Sequence, residues 1–148
     1  NVYWDNIQLG TNNVTTVTTP ATISTGKTEV SFNVNFKEPG DTYEFTVDAV
    51  NDGSIHAMIG MTSSGIYQSD GVTATTLPSY LEYSVTYDDG EIIQNKQLLE
   101  AGEREKIKVK VTYKRDITTS QLPTQDIDYV FKYQISYIQA DDTAISRT

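Results

Sequence analysis

The chain has 148 residues, with 20 acidic and 11 basic side chains, one His, one Trp and no Cys, and its formal net charge is -9. This charge disfavours binding to nucleic acid or to an anionic membrane surface, because both are polyanions. The absence of Cys excludes thiolate catalysis and Cys-based metal sites, and a single His excludes a site with two His ligands from one chain. We therefore expect no cofactor and no metalloenzyme.

The length suits one compact domain, which can bury a sizeable core without disulfides. The sequence contains no run of about 18 apolar residues and no charged segment followed by an apolar one. We therefore expect no membrane insertion, and a chain that is soluble as given or is the mature form of an exported protein.

Apolar and polar residues alternate over most of the chain, which is the period of a half-buried strand. Residues 30–36 and 43–49 form the first two clear runs, separated by the turn residues Glu38-Pro39-Gly40-Asp41. Asn51-Asp52-Gly53-Ser54 then predicts a hairpin leading into a strand with Ile55, Ala57, Ile59 and Met61 on one face.

The second half of the chain continues in the same way. Residues 62–78 are rich in Ser, Thr and Gly and predict a long surface loop, whereas residues 81–87, 107–113 and 127–137 predict strands. Residues 91–99 fit either a short strand or a helical turn. Many short strands without helices between them predict an all-β fold, an antiparallel β-sandwich of immunoglobulin-like type, although the Cys-Trp-Cys signature of true immunoglobulin domains is missing.

The organisation of the chain follows from this pattern. Residues 11–28 are β-prone but poor in large apolar side chains, so residues 1–28 form an extended amino-terminal segment. Residues 29–140 form the sandwich domain, and residues 141–148 form a polar tail.

Side chains that could support chemistry are few. His56 falls on the polar face of its predicted strand and is interpreted as an ordinary surface residue. The pairs Asp88-Asp89 and Asp141-Asp142 lack the spaced oxygen ligands of a Ca²⁺ loop and are better explained by solubility. No nucleotide-binding or hydrolase motif is present, so we expect no enzyme and no metal site.

Six of the eleven basic residues lie within residues 104–115, and Lys106, Lys108 and Lys110 project from one face of a predicted strand. Such lysines discourage edge-to-edge aggregation of strands, which is the simpler interpretation. The alternative is a cationic stripe that contacts acidic residues such as Glu44 and Asp48 on a neighbouring subunit or strand.

The amino terminus carries an apolar cluster of Val2, Tyr3, Trp4 and Ile7, although chain ends are usually polar. The cluster either folds back on its own domain or adds as a strand to another subunit. The residues alone slightly favour folding back.

Several short motifs resemble the TasA/camelysin family of secreted bacterial proteins. They are Tyr3-Trp4-Asp5-Asn6, Glu38-Pro39-Gly40-Asp41 before a strand containing Phe45, Asn51-Asp52-Gly53-Ser54, Leu98-Leu99-Glu100-Ala101-Gly102 and Tyr137-Ile138-Gln139-Ala140. The resemblance implies a jelly-roll or immunoglobulin-like sandwich that polymerises into extracellular fibres of a biofilm matrix. It also implies donor-strand exchange, with Val2, Tyr3, Trp4 and Ile7 as the inserted anchors. Some members are described as metalloproteases, but this sequence lacks the residues for that chemistry.

Two functions are therefore expected. The first is a secreted structural subunit whose amino-terminal strand completes the sheet of the next copy in a head-to-tail filament. The alternative is a monomeric cell-surface binding module for a carbohydrate or protein, using exposed tyrosines and residues 62–78. Tyr129, Tyr133 and Tyr137 could form an aromatic platform for sugars, but they share a face with apolar residues and are more simply core.

Overall fold

The structure is a computed structural model that describes residues 1–13 and 19–147. These residues form nine strands and one short 3-10 helix, Thr119–Gln121. The strands are β1 (Val2–Leu9), β2 (Thr19–Ile23), β3 (Val30–Val34), β4 (Thr42–Asn51), β5 (Ala57–Gln68), β6 (Leu81–Tyr87), β7 (Leu98–Leu99), β8 (Arg104–Tyr113) and β9 (Tyr129–Gln139). Thr148 and residues 14–18, which belong to the predicted tail and amino-terminal segment, lie outside the described residues.

Two sheets pack face to face around one core. The first has the strand order β1-β4-β8-β6 and the second β2-β3-β9-β5-β7, and all pairs between these strands are antiparallel. The core is built from the alternating apolar residues of both sheets, and the ring of Phe32 contacts those of both Phe45 and Phe131. The predicted all-β antiparallel sandwich is confirmed.

The predicted amino-terminal segment contributes to both sheets, because β1 forms one edge of the first and β2 one edge of the second. The predicted boundary between residues 28 and 29 falls in the turn between β2 and β3. In the predicted tail, Ile145 pairs with Gln97, and the Arg147 guanidinium lies 4.1 Å from the centroid of the Tyr87 ring.

The hairpin predicted at residues 51–54 is wrong, because β4 and β5 lie in different sheets. The side chain of Asn51 is fully buried and explains the crossover. Its amide donates to the carbonyl oxygens of Ile55 and Leu99, both at 3.0 Å, and its oxygen accepts from the Gly53 N–H at 3.1 Å. Since Leu99 belongs to the second sheet, these hydrogen bonds fix the path of the chain from the first sheet to the second. From β3 to β9, successive strands alternate between the sheets.

The loop predicted for residues 62–78 is wrong in its first part, because β5 continues to Gln68. It pairs with β9 as far as Gln68 opposite Tyr129, and the backbone bonds hold the strand although residues 60–64 are exposed on both of its faces. A bulge between Ile59 and Met61 also breaks the predicted common face: Ile59 is buried and Met61 is 59% exposed. Within residues 91–99, the short strand β7 pairs with β5.

Buried tyrosines predict a sharp alkaline limit to stability. Burial raises the pKa of Tyr83, Tyr133 and Tyr137, and burial with the nearby Glu105 charge raises the pKa of Tyr87 to about 12. In the unfolded chain these phenols ionise near pH 10. Their contribution to the free energy of unfolding is therefore complete below about pH 10 and is lost as the pH rises towards 12. We expect the urea midpoint to fall steeply above about pH 10. A midpoint that is constant to about pH 11 would contradict the burial of these phenols.

Candidate subunit-contact site at the amino-terminal strand

Strand β1 is the edge strand of the first sheet and lies in antiparallel register with β4. The register runs from Val2 opposite Asn51 to Leu9 opposite Phe45, and it shifts by one residue between Asp5 and Gln8. Asn6 lies at this bulge with a φ of 59°, a left-handed conformation that Asn tolerates better than most residues. Residues 2–9 thus form an integral strand with a defined register.

Trp4 anchors β1 to the rest of the sandwich. Its side chain is only 3% exposed, and its indole N–H donates to the carbonyl oxygen of Thr28 at 3.1 Å. Its backbone N–H donates to the Lys27 carbonyl oxygen at 3.0 Å, and its ring centroid lies 6.1 Å from that of Tyr133 on the opposite sheet. The other predicted anchors, Val2, Tyr3 and Ile7, are only partly buried. Of the four, Trp4 therefore makes the strongest attachment.

On the face of the first sheet that lies away from the Trp4 side chain, β1, β4 and β8 carry a network of polar side chains. Asp5 on β1 lies directly opposite Asp48 on β4, a pairing of like charges that is unfavourable by itself. Arg104 on β8 lies between them, 2.8 Å from the Asp48 carboxylate and 3.4 Å from that of Asp5. The Asn6 amide also donates to Asp48 at 3.2 Å. The charge of Arg104 thus offsets the repulsion, and Asp48, the principal cause, raises the pKa of Arg104.

The basic and acidic residues singled out in the sequence lie opposite each other on neighbouring strands of one sheet. Lys106 pairs with Asp48, Lys108 with Thr46 and Lys110 with Glu44 across β8 and β4. The Lys106 ammonium lies 3.5 Å from the Asp48 carboxylate. The Lys108 ammonium lies 3.9 Å from the carboxylate of Asp88.

A groove of about 450 Å³ runs beside the start of β1. It lies between residues 1–4 and the second half of β9, and residues 55–57 form another part of its wall. Sequence reasoning missed this groove, because it depends on where β3 begins. Val30 pairs with Tyr133, so β3 does not reach the rest of β9. Nothing in the local alternation of either strand signals this difference in length.

The remaining candidate side chains make local hydrogen bonds to the backbone and to neighbouring side chains. His56 is exposed, and its Nδ1 accepts a hydrogen bond from the Ala101 N–H at 2.9 Å. The Asp141 carboxylate accepts from the backbone and hydroxyl of Thr143, and these hydrogen bonds lower the pKa of Asp141. Within residues 1–13 and 19–147, no group of three or more His, Asp or Glu side chains could hold a metal ion.

The fold and this site define an all-β sandwich whose amino-terminal strand is an anchored edge strand. No family model, curated protein or solved structure matches the chain. No helix in the described part of the chain has the length and apolar character needed to cross a membrane.

Proposed function

We propose that the chain is a secreted structural subunit that assembles into extracellular filaments by exchanging β1 between copies. The observation that carries this proposal is the position of β1, an edge strand that pairs with β4 and is anchored by one large buried side chain, Trp4. The resemblance to the TasA/camelysin family supports it further, and we extend the proposal to membership of that family. The alternation of β3 to β9 between the sheets favours the jelly-roll type of sandwich.

The connection between β1 and β2 is long enough for exchange. Nine residues, 10–18, separate Leu9 from Thr19 and can span up to about 30 Å when extended. The strand can therefore enter the equivalent slot of a neighbouring copy while β2 stays in its own sheet. Since the contacts in the two slots are the same, exchange costs little free energy and is favoured at high concentration.

Exchange of an edge strand produces an open assembly when donor and acceptor surfaces differ. Each copy would donate β1 and receive β1 on the edge of its own β4, so the contact is head to tail. Heterologous contacts of this kind form filaments unless the rotation between copies closes a ring. The unpaired backbone groups of β4, left when β1 departs, provide the driving force for receiving another strand.

A disulfide lock tests the exchange, because the chain has no Cys of its own. Gln8 on β1 lies opposite Thr46 on β4, and cysteines placed at directly opposed positions can form a disulfide. We expect the doubly substituted chain Gln8→Cys, Thr46→Cys to stay monomeric when oxidised and to form filaments after reduction, as judged by electron microscopy. Filaments that form equally well from the oxidised chain would refute the exchange.

A mixing experiment provides the matched control. An equimolar mixture of the Gln8→Cys chain and the Thr46→Cys chain should yield disulfide-linked pairs of unlike chains after assembly. A mixture of Gln8→Cys and Glu82→Cys chains should give no such pairs, because Glu82 is exposed on β6, at the opposite edge of the first sheet from the β1 slot. Filaments without the first type of linkage would show that the copies associate in another way.

A further inference from the structure

One edge of β9 is only partly paired. On one side β5 pairs with β9 along its whole length to Gln139, whereas on the other side β3 pairs only with residues 129–133. Among the described residues, no strand pairs with residues 134–139 on that second side. The Ala140 N–H donates to the His56 carbonyl on the β5 side, so alternation directs the backbone groups of Ile135, Tyr137 and Gln139 towards the free edge.

The groove beside this free edge differs in charge from the rest of the protein. None of its sixteen lining residues is Asp or Glu, although the chain has 20 acidic residues in 148. The lining includes Lys27, whose ammonium lies 5.2 Å from the centroid of the Tyr3 ring and forms no ion pair with any described residue. The groove is thus a cationic site on an acidic molecule.

His56 adds a hydrogen-bond donor to the same lining. Because its Nδ1 accepts from the Ala101 N–H, the neutral ring carries its hydrogen on Nε2. Two large apolar side chains also line the groove and remain exposed, Ile55 at 58% and Ile138 at 52%. An occupant with both carboxylates and apolar side chains would match these groups.

We propose that this groove binds an extended, acidic segment of a partner protein, which adds to β9 as a further strand. The free backbone groups of β9 favour a peptide, since a strand supplies the complementary N–H and C=O groups along a whole edge. Six free residues accommodate a segment of about seven residues. Lys27 and His56 attract its carboxylates, and Ile55 and Ile138 contact its apolar side chains. The site does not depend on strand exchange, because a β1 strand fills the slot beside the groove in both the folded-back and the exchanged form.

Trp4 lines the groove and is the only Trp of the chain, so its fluorescence reports occupancy. The test uses the oxidised Gln8→Cys, Thr46→Cys chain, in which β1 is held in place, and a capped seven-residue peptide of alternating Glu and Val. We expect saturable binding, at least fivefold weaker binding of the same peptide with Lys in place of Glu, and loss of binding when alternate peptide nitrogens are methylated. Methylation removes the N–H groups that would pair with β9.

Charge reversal gives the matched variants. Lys27→Glu should weaken binding of the Glu peptide by about fivefold or more, as expected for loss of an ion pair of about 1 kcal/mol. Lys37→Glu changes the charge equally at an exposed residue that is not part of the groove, and should leave the affinity unchanged. Equal affinity of the Glu and Lys peptides, unchanged affinity on methylation, or no binding would overturn the proposal. Binding of a soluble glucan oligosaccharide to the groove, with no binding of the peptide, would overturn it too.

Discussion

Replacing Trp4 with Ala should lower the free energy of unfolding by about 3 to 5 kcal/mol, the range measured for truncation of buried aromatic side chains. The effect is large because Trp4 is 3% exposed, packs towards Tyr133 of the second sheet and donates its indole N–H to Thr28. Truncation leaves a cavity between the sheets and removes the hydrogen bond to the Thr28 carbonyl oxygen. Urea unfolding followed by far-ultraviolet circular dichroism measures the change without the lost fluorophore.

Leu9→Ala is the matched control for Trp4→Ala, since Leu9 ends the same strand but is 57% exposed. It should change stability by less than about 0.5 kcal/mol. The Trp4 pocket receives β1 in both the folded-back and the exchanged form, so Trp4→Ala should also abolish filaments. An effect as small as that of Leu9→Ala would show that Trp4 does not anchor β1.

Replacing Asn51 with Ala should lower the free energy of unfolding by about 2 to 4 kcal/mol, since each buried polar group left without a partner costs about 1 to 3 kcal/mol. Two carbonyl oxygens, of Ile55 and Leu99, lose their donor, and the Gly53 N–H loses its acceptor. The substitution loosens the crossover that joins β4 to the second sheet. Because residues 55–57 line the groove, Asn51→Ala should also weaken binding of the acidic peptide.

Two further variants test the role of the Asn51 amide. Asn51→Asp retains the size but replaces the donor with a carboxyl group at a fully buried position, and should destabilise at least as much at neutral pH. Asn12→Ala is the control, because Asn12 is exposed, and should change stability by less than about 0.5 kcal/mol. An Asn51→Ala effect of that small size would refute the role of the side chain in the crossover.

Local alternation of apolar and polar residues predicts the strands that bury one face in the core. The predicted apolar faces of β3, β4, β6, β8 and β9 include Val34, Phe45, Leu81, Val109 and Phe131, and each of these side chains is almost completely buried. Alternation works here because each strand buries one face and each side chain's direction follows from its position. It fails at residues 62–68, where the exposed face is polar and pairing with β9 holds the strand.

Turn chemistry predicts where the chain reverses but not which strand it joins. Asn51-Asp52-Gly53-Ser54 ends β4 as expected, yet the predicted hairpin is absent because Asn51 bonds to Leu99, 48 residues away along the chain. A bond between residues so far apart leaves no trace in the local pattern.

The sequence by itself determined that this protein is an all-β sandwich with an apolar anchor near its amino terminus, because alternation and the cluster around Trp4 are local properties. Only the tertiary structure decided the slot that receives Trp4, the placement of Lys106 opposite Asp48 and the groove beside β9. These features depend on strand order and on the unequal lengths of paired strands. Both are set by contacts between distant residues rather than by the properties of any one segment.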